Sequence, residues 1–233
     1  MSTKPKRGTE SLTTKAYNAL RRDILACEIA PGQELSEGEL ATQFKMSKTP
    51  IREALGKLQS EGLVKTYPRR GYQVASVTFQ DLNELFEMRT LLEGRAAELA
   101  SKNITRERLE QLAILANVAY DRSEKPSIMR FVQANRQFHE AIAQASGNQR
   151  LHNTVIQVLD ELQRFFHLGA QLRDVGLETT ESHRKIVQAL RKRDATLARR
   201  NVVEEIETTQ RGLILALTKQ TSSLMELKPA FVA

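Results

Sequence analysis

The chain has 233 residues, enough for one large or two ordinary domains, and a formal net charge of +7 with a pI near 9.6. Such a cationic balance favours an anionic partner. One cysteine, Cys27, excludes an intrachain disulfide and fits a reducing compartment, and no apolar run approaches the roughly 18 residues of a membrane span. The charge is uneven: residues 1–77 hold 13 Lys/Arg against 8 Asp/Glu, and the other 156 residues hold 22 against 20. "MSTKPKRGTE" is polar rather than a secretory leader, so residues 1–10 are predicted to be a disordered basic tail on a cytoplasmic protein.

In chain order, "TKAYNALRRDILACEI" (14–29) sets Tyr17, Leu20, Ile24 and Leu25 at helical spacing before "APGQ" closes it. Cys27 falls near that end and reads as packing rather than chemistry. "LSEGELATQF" (35–44) reads as a second, short helix, with Ser36 and Glu39 at capping-box spacing and an apolar stripe of Leu40, Ala41 and Phe44. After "KMS", a third helix opens in "MSKTPIREAL" (46–55), with Ser47 as its N-cap and Pro50 in the first turn, where a missing N–H costs little. Ile51, Ala54, Leu55 and Leu58 form its inward face. Lys48, Thr49 and Arg52 lie on the other side, near the positive end of the helix dipole, which suits a phosphate. Alone, that trio reads as an ordinary solvated polar face. It does not stand alone: "EGLVKTYPRRGYQVASV" (61–77) holds two β-rich runs, Leu63–Tyr67 and Tyr72–Val77, joined by a Pro-Arg-Arg-Gly tip. Three helices and a basic hairpin make residues 11–77 a winged helix-turn-helix, a module that lays its second motif helix in the major groove and its wing along the backbone.

From residue 78 the strand signals stop. Six helical patterns follow, over roughly 79–101, 105–122, 126–146, 148–173, 177–192 and 194–220, separated by short breakers. Residues 78–222 are predicted to be an antiparallel all-α bundle, with a tail over 223–233, so the fold class is mainly α with one small β-hairpin wing. Several polar residues sit on its apolar stripes. Asn135 and His139 lie among Phe131, Phe138, Ile142 and Ala145; His183 precedes Ile186, Val187 and Leu190; Glu205 borders Val202, Ile206 and Thr209; Arg89 lies between Leu82, Leu85, Leu92 and Ala96. A buried cation needs an anion, so Arg89 pairs with Glu93, with another helix, or with a ligand. Two readings compete. In the plain one the histidines and Asn135 are hydrogen-bonded core residues and Glu205 is at the surface. In the functional one, two imidazoles and one or two oxygens converge on a divalent ion (Zn, Ni, Mn or Fe(II)), with Arg89 nearby to receive a carboxylate. His152 and His167 lack such a context and read as surface or packing residues.

These segments resemble a known family. "LSEGELATQFKMSKTPIREALGKLQSEGLV" is similar to the DNA-binding domain of GntR-type bacterial transcription regulators. "FEMRTLLEGRAAELA" (86–100), "NRQFHEAIAQASGN" (135–148) and "ESHRKIVQALRKRDATLAR" (181–199) are similar to the FCD domain of the FadR subfamily. The resemblance implies a homodimer that binds palindromic double-stranded DNA and responds to a small organic acid, as a repressor of catabolic genes and not an enzyme. It also implies a metal held by one aspartate and three histidines. Carried over by position, the metal ligands are Asn135, His139, His183 and Glu205, with Asn135 in place of the aspartate and Glu205 in place of a histidine. Arg89, Asn135, His139 and His183 become the effector residues. Ser36, Ser47, Lys48, Thr49, Arg52, Arg69, Arg70 and Gly71 become the DNA-binding set, with Lys48 where arginine is usual and Gly38 where some members carry a contacting arginine. Two other functions fit parts of the pattern: a metal-dependent enzyme acting on a small acid, since two histidines and a carboxylate resemble a facial triad, and a nonspecific architectural DNA protein.

Overall fold

A computed structural model of the chain describes residues 11–67 and 71–226, with side chains described through residue 219. Its contacts divide it into two units, residues 1–77 and 78–233.

In the first unit, Ser11 caps helix α1 (Leu12–Leu25) by accepting a hydrogen bond from the Thr14 amide at 3.1 Å. The helix ends four residues short of the expected span because Cys27 enters the left-handed region at φ +55. The Cys27 and Glu28 amides then turn back to the Ile24 and Asp23 carbonyls at 3.1 and 2.8 Å, the hydrogen-bond pair that closes a helix at a left-handed residue. The cysteine is thus a helix stop. Strand β1 (Glu34–Leu35), helix α2 (Glu37–Phe44), helix α3 (Lys48–Ser60) and strands β2 (Val64–Tyr67) and β3 (Gly71–Val74) follow. The sheet order is β1-β3-β2, antiparallel throughout, with Leu35 opposite Tyr72 and Val64 opposite Val74. Strand β1 is absent from the sequence reading because two residues carry no alternation. Ala16, Leu20 and Ile24 of α1 meet Ile51, Ala54, Leu55 and Leu58 of α3, with Leu40, Val64 and Val74 completing the core. Gly71 is conformationally required: its φ is +86, and a β-carbon there would stand 3.0 Å from the Leu35 carbonyl oxygen.

Two capping expectations fail. Ser47 has extended N-cap geometry, but its hydroxyl makes no cap hydrogen bond. Pro50 occupies the third helical position, so one of the two amides such a hydroxyl would bind does not exist. Ser36 caps α2 without a side-chain hydrogen bond, and nothing in the structure explains why its box with Glu39 stays open.

The second unit is helical: α4 (Phe79–Asn103), α5 (Arg106–Leu115), α6 (Lys125–Ala145), α7 (Gln149–Leu172), α8 (Gly176–Arg191) and α9 (Ala195–Glu226). Thr78 and Asp81 form a full capping box on α4, and Asn148 caps α7 through the Arg150 and Leu151 amides. Helix α5 stops at Leu115, seven residues before its expected end. Asn117 donates its side-chain amide to the Ala113 carbonyl at 2.6 Å. Tyr120 then leaves the helical path to stack on Phe131, with ring centroids 4.3 Å apart, and its hydroxyl accepts from the Val175 amide at 3.1 Å. Arg193, left-handed at φ +55, ends α8 and sends its guanidinium to the Ser101, Lys102 and Ile104 carbonyls at 2.9 to 3.3 Å. It satisfies acceptors that the end of α4 leaves open. Among the described residues no helix is long and apolar enough to cross a membrane.

Helices α4 and α9 pack most extensively, and Gly94 lets them approach: a β-carbon there would lie 3.1 Å from Val203 Cγ2 and 3.5 Å from Arg199 Cγ. Replacing Gly94 by leucine wedges these helices apart, and denaturant unfolding should register a loss of about 1–3 kcal/mol. An unchanged midpoint would show that the contact carries no constraint.

Candidate functional site

On the first unit, Ser36 and Ser47 are exposed at the starts of α2 and α3, and Lys48, Thr49 and Arg52 are exposed along α3. Arg69 and Arg70 lie outside the described residues. Arg52 is not a free cation. Its Nε and Nη2 donate to the two carboxylate oxygens of Glu37 at 2.8 and 2.7 Å, a fork across α2 and α3. These hydrogen bonds from Arg52 hold the Glu37 carboxyl below its usual pKa. Sequence reasoning missed Glu37, since a spacing of fifteen residues across a turn leaves no periodic signal.

In the second unit, Arg89, Glu93, His139, His183 and Glu205 are all buried, none more than 5 % exposed. Helical spacing on α4 places Glu93 one turn after Arg89, whose Nε donates to Glu93 Oε1 at 2.6 Å. The other Glu93 oxygen lies 2.6 Å from His139 Nδ1. With Glu93 against Nδ1, Nε2 faces Arg89 and Glu205, the disposition in which a carboxylate behind one ring nitrogen orients a metal-binding histidine. Arg89 Nη2 sits 3.4 Å from His139 Nε2 and 3.7 Å from Glu205 Oε2. Phe86 and Phe166 flank the guanidinium, each ring centroid 5.3 Å from its carbon. Thr209 donates to Glu205 Oε1 at 3.1 Å, so that Oε2 is the oxygen facing the cluster.

Burial works to raise the Glu93 pKa, but Arg89 and His139 outweigh it and bring it to about 2. Burial, then His139 and the Arg89 cation, push the His183 pKa well below its usual value. His183 is therefore a neutral imidazole, stacked on Phe138 with ring centroids 3.8 Å apart. His183 Nε2 and Glu205 Oε2 are buried without a hydrogen-bond partner. One donor atom each from His139, His183 and Glu205 lies within 4.8 Å of the others. Two imidazole nitrogens and a carboxylate oxygen, two of the three unpartnered, fit a divalent ion. The sequence reading placed Glu205 either at the surface or in this set, and it is buried in it. Glu93 it treated only as a partner for Arg89.

Two cavities adjoin the cluster. A cavity of about 40 Å³ has walls of Phe131, Val132, Phe166, Ala170 and Leu213 and polar edges at Asn135, Arg173, Glu178, Thr179, Glu205 and Thr209. An open, polar one of about 400 Å³ lies between α8 and α9 and shares Glu178 and Glu205 with it. Asn135 is half-buried and borders the small cavity, whereas Arg89, His139 and His183 lie behind Glu205 and do not line it.

A winged helix-turn-helix unit in one chain with a helical unit built around buried histidines and carboxylates defines a class, the two-domain bacterial transcription regulators. Residues 12–74 match the family described as "Bacterial regulatory proteins, gntR family", and residues 84–208 match the FCD domain. A Bacillus subtilis (strain 168) protein named as the uncharacterized HTH-type transcriptional regulator YdhC is 30% identical, covering 80% of this chain and 84% of its own. The HTH-type transcriptional repressor RspR of Escherichia coli (strain K12) is 27% identical over 85% of this chain and 87% of its own. The solved structure of E. coli McbR/YncC superposes with a TM-score of 0.72 at 27% identity, covering 89% of this chain and 99% of that one. The chain belongs to the GntR family of bacterial regulatory proteins, with an FCD domain after its DNA-binding unit. It is a transcription regulator; these relatives are regulators rather than enzymes.

Glu93→Gln keeps the shape of the site but removes the anion nearest Arg89. Stability measured by urea unfolding should fall by about 3–5 kcal/mol, because a buried charge loses its closest partner. A loss under about 1 kcal/mol would mean that Glu205 alone compensates the guanidinium.

Proposed function

We propose that this cytoplasmic regulator is a homodimeric repressor of catabolic genes, that residues 11–77 bind a palindromic operator, and that residues 78–222 dimerise and sense a small organic acid near a divalent ion. The observation that carries the sensing part is the convergence of His139, His183 and Glu205, with His183 Nε2 and Glu205 Oε2 buried and unpartnered. His139 and His183 would supply nitrogens, Glu205 one oxygen and Asn135 an amide oxygen. The donor set suits Zn, Ni or Mn. A bound ion supplies positive charge that an acid's carboxylate can meet, and Arg89, behind the same carboxylate, adds to it. The name of RspR supports repression as the sign of control.

On the DNA side, Lys48, Thr49 and Arg52 would enter the major groove from α3, Ser36 and Ser47 would meet phosphates, and Arg69, Arg70 and Gly71 would form the wing's contact. Glu37 has a double effect here: it aims Arg52 and it repels phosphate. Effector binding would favour one arrangement of the dimer and so change the spacing of its recognition helices. A coupling of about 1–3 kcal/mol is enough to change operator occupancy many-fold.

In anisotropy titrations against the intergenic DNA flanking the regulator's own gene, Arg52→Ala should lose about 1–3 kcal/mol of affinity. Glu37→Gln should bind random duplex more tightly yet discriminate the operator less. Equal operator affinity of Arg52→Ala and wild type would remove Arg52 from the readout. For the metal, His139→Ala combined with His183→Ala should abolish stoichiometric Zn, Ni or Mn in elemental analysis of the purified protein. Retained metal would refute the ligand set.

A further inference from the structure

The arginine that faces the small cavity is Arg173, just past the end of α7, not Arg89. Its Nη1 and Nη2 donate to the two carboxylate oxygens of Glu178 at 2.9 and 3.0 Å. Its Nε is buried and has no hydrogen-bond partner. Arg173 is held in place through its backbone and its guanidinium. Tyr120 ties down the backbone here, donating to the Arg173 carbonyl at 3.2 Å and accepting from the Val175 amide. Glu178 grips it from the first turns of α8. Gly212 of α9 leaves the space it fills, since a β-carbon at that position would collide with it.

With the Arg173–Glu178 fork closed, the cavity behind it is too small for a metabolite, so a ligand body lies on its apolar wall only where the fork opens it to the larger polar cavity. At about 40 Å³ the small cavity has space for about three water molecules, taking about 10–15 Å³ for each. Glu178 borders both this cavity and the open polar one of about 400 Å³. A molecule that reaches the apolar wall of Phe131, Phe166 and Leu213 from the open side therefore passes the Arg173–Glu178 fork.

We propose that Arg173 is the receptor for a carboxylate of the effector, that Glu178 is the chain's own stand-in for that carboxylate, and that the effector is a dicarboxylic acid with an apolar middle. The inference rests on the reading of this domain as an acid sensor and names the class of acid. One carboxylate would lie toward Asn135 and the divalent ion that Glu205, His139 and His183 would hold, the methylene body lies on the phenylalanines, and the second carboxylate takes the fork from Glu178. The exchange trades one carboxylate for another, so the two hydrogen bonds are conserved. Arg173 and Glu178 are both partly solvated, with side-chain exposures of 26% and 36%, which keeps the internal pair weak enough to open. Burial of the apolar body then decides the balance.

Calorimetric titration of the full-length protein with succinate, glutarate, adipate and pimelate, each beside the monoacid of equal length, tests this. The best diacid should bind about tenfold or more tightly than its monoacid, because only the diacid re-forms on Arg173 the two hydrogen bonds that a displaced Glu178 gives up. Arg173→Gln should erase that preference and leave monoacid affinity unchanged, whereas a fold defect would weaken both. Glu178→Gln should tighten the diacid, because no internal carboxylate competes. Gly212→Ala, which expels the guanidinium without removing its charge, should lower the preference as Arg173→Gln does. Equal affinity of wild type for diacids and monoacids, or an Arg173→Gln protein that keeps the preference, would overturn the assignment while leaving the acid-sensing reading in place. No binding of either kind of acid by wild type would overturn both.

Discussion

The Arg89 guanidinium lies in the middle of the helical domain, 1 % exposed, and everything around it answers to that charge. An unpaired buried cation costs several kcal/mol, so the position is tolerable only if anions and ring faces arrive from other helices. They arrive from every side. Glu93 comes from α4 itself, Glu205 from α9, His139 from α6 and Phe166 from α7. The helices are thus held in register by the residues that form the candidate site, and a change at the site is felt by the bundle. Glu93 and Glu205 face the guanidinium from two helices, with His139 between them and the neutral His183 beside them. Two of the cluster's buried atoms, His183 Nε2 and Glu205 Oε2, have no hydrogen-bond partner and are free to ligate a cation.

Much of this was legible in the sequence because it is periodic. The stripes that predicted α6, α8 and α9 are made by the same side chains that fill the core, and Asn135, His139 and His183 stand out only because those stripes are otherwise apolar. What stayed hidden was aperiodic or distant. Strand β1 is two residues long, Cys27 and Arg193 stop helices through backbone conformations that non-glycine residues rarely adopt, and Ser47 loses one capping target to its own Pro50. The length of α5 was overestimated because Val118 and Tyr120 continue a plausible apolar pattern, while a ring stack on Phe131 and a backbone hydrogen bond at Val175 pull the tyrosine elsewhere. At the candidate site, identity was readable and relation was not. Glu93 as the orienting partner of His139, and Arg173 as the arginine that faces a cavity, depend on helices far apart in the chain.

Three arginine–glutamate pairs show how solvent assigns different work to one chemistry. Arg52–Glu37 is exposed, so water and salt screen its attraction and its main consequence is direction: the fork aims a guanidinium along α3. Arg89–Glu93 is buried and fixed, because neither partner can find water if the pair opens. In Arg173–Glu178 the guanidinium lies between those limits, 26% exposed against 63% for Arg52 and 0% for Arg89, wet enough to open and dry enough for a competing carboxylate to be worth binding. Had the cavity-facing pair been as deep as Arg89–Glu93, no ligand could exchange with it. Had its guanidinium been as exposed as that of Arg52, little affinity would follow from the exchange. The same gradient explains why Glu205, and not Arg89, touches the cavity. A carboxylate at the boundary can face a cation behind it and a ligand in front, whereas the guanidinium behind is already committed to the fold.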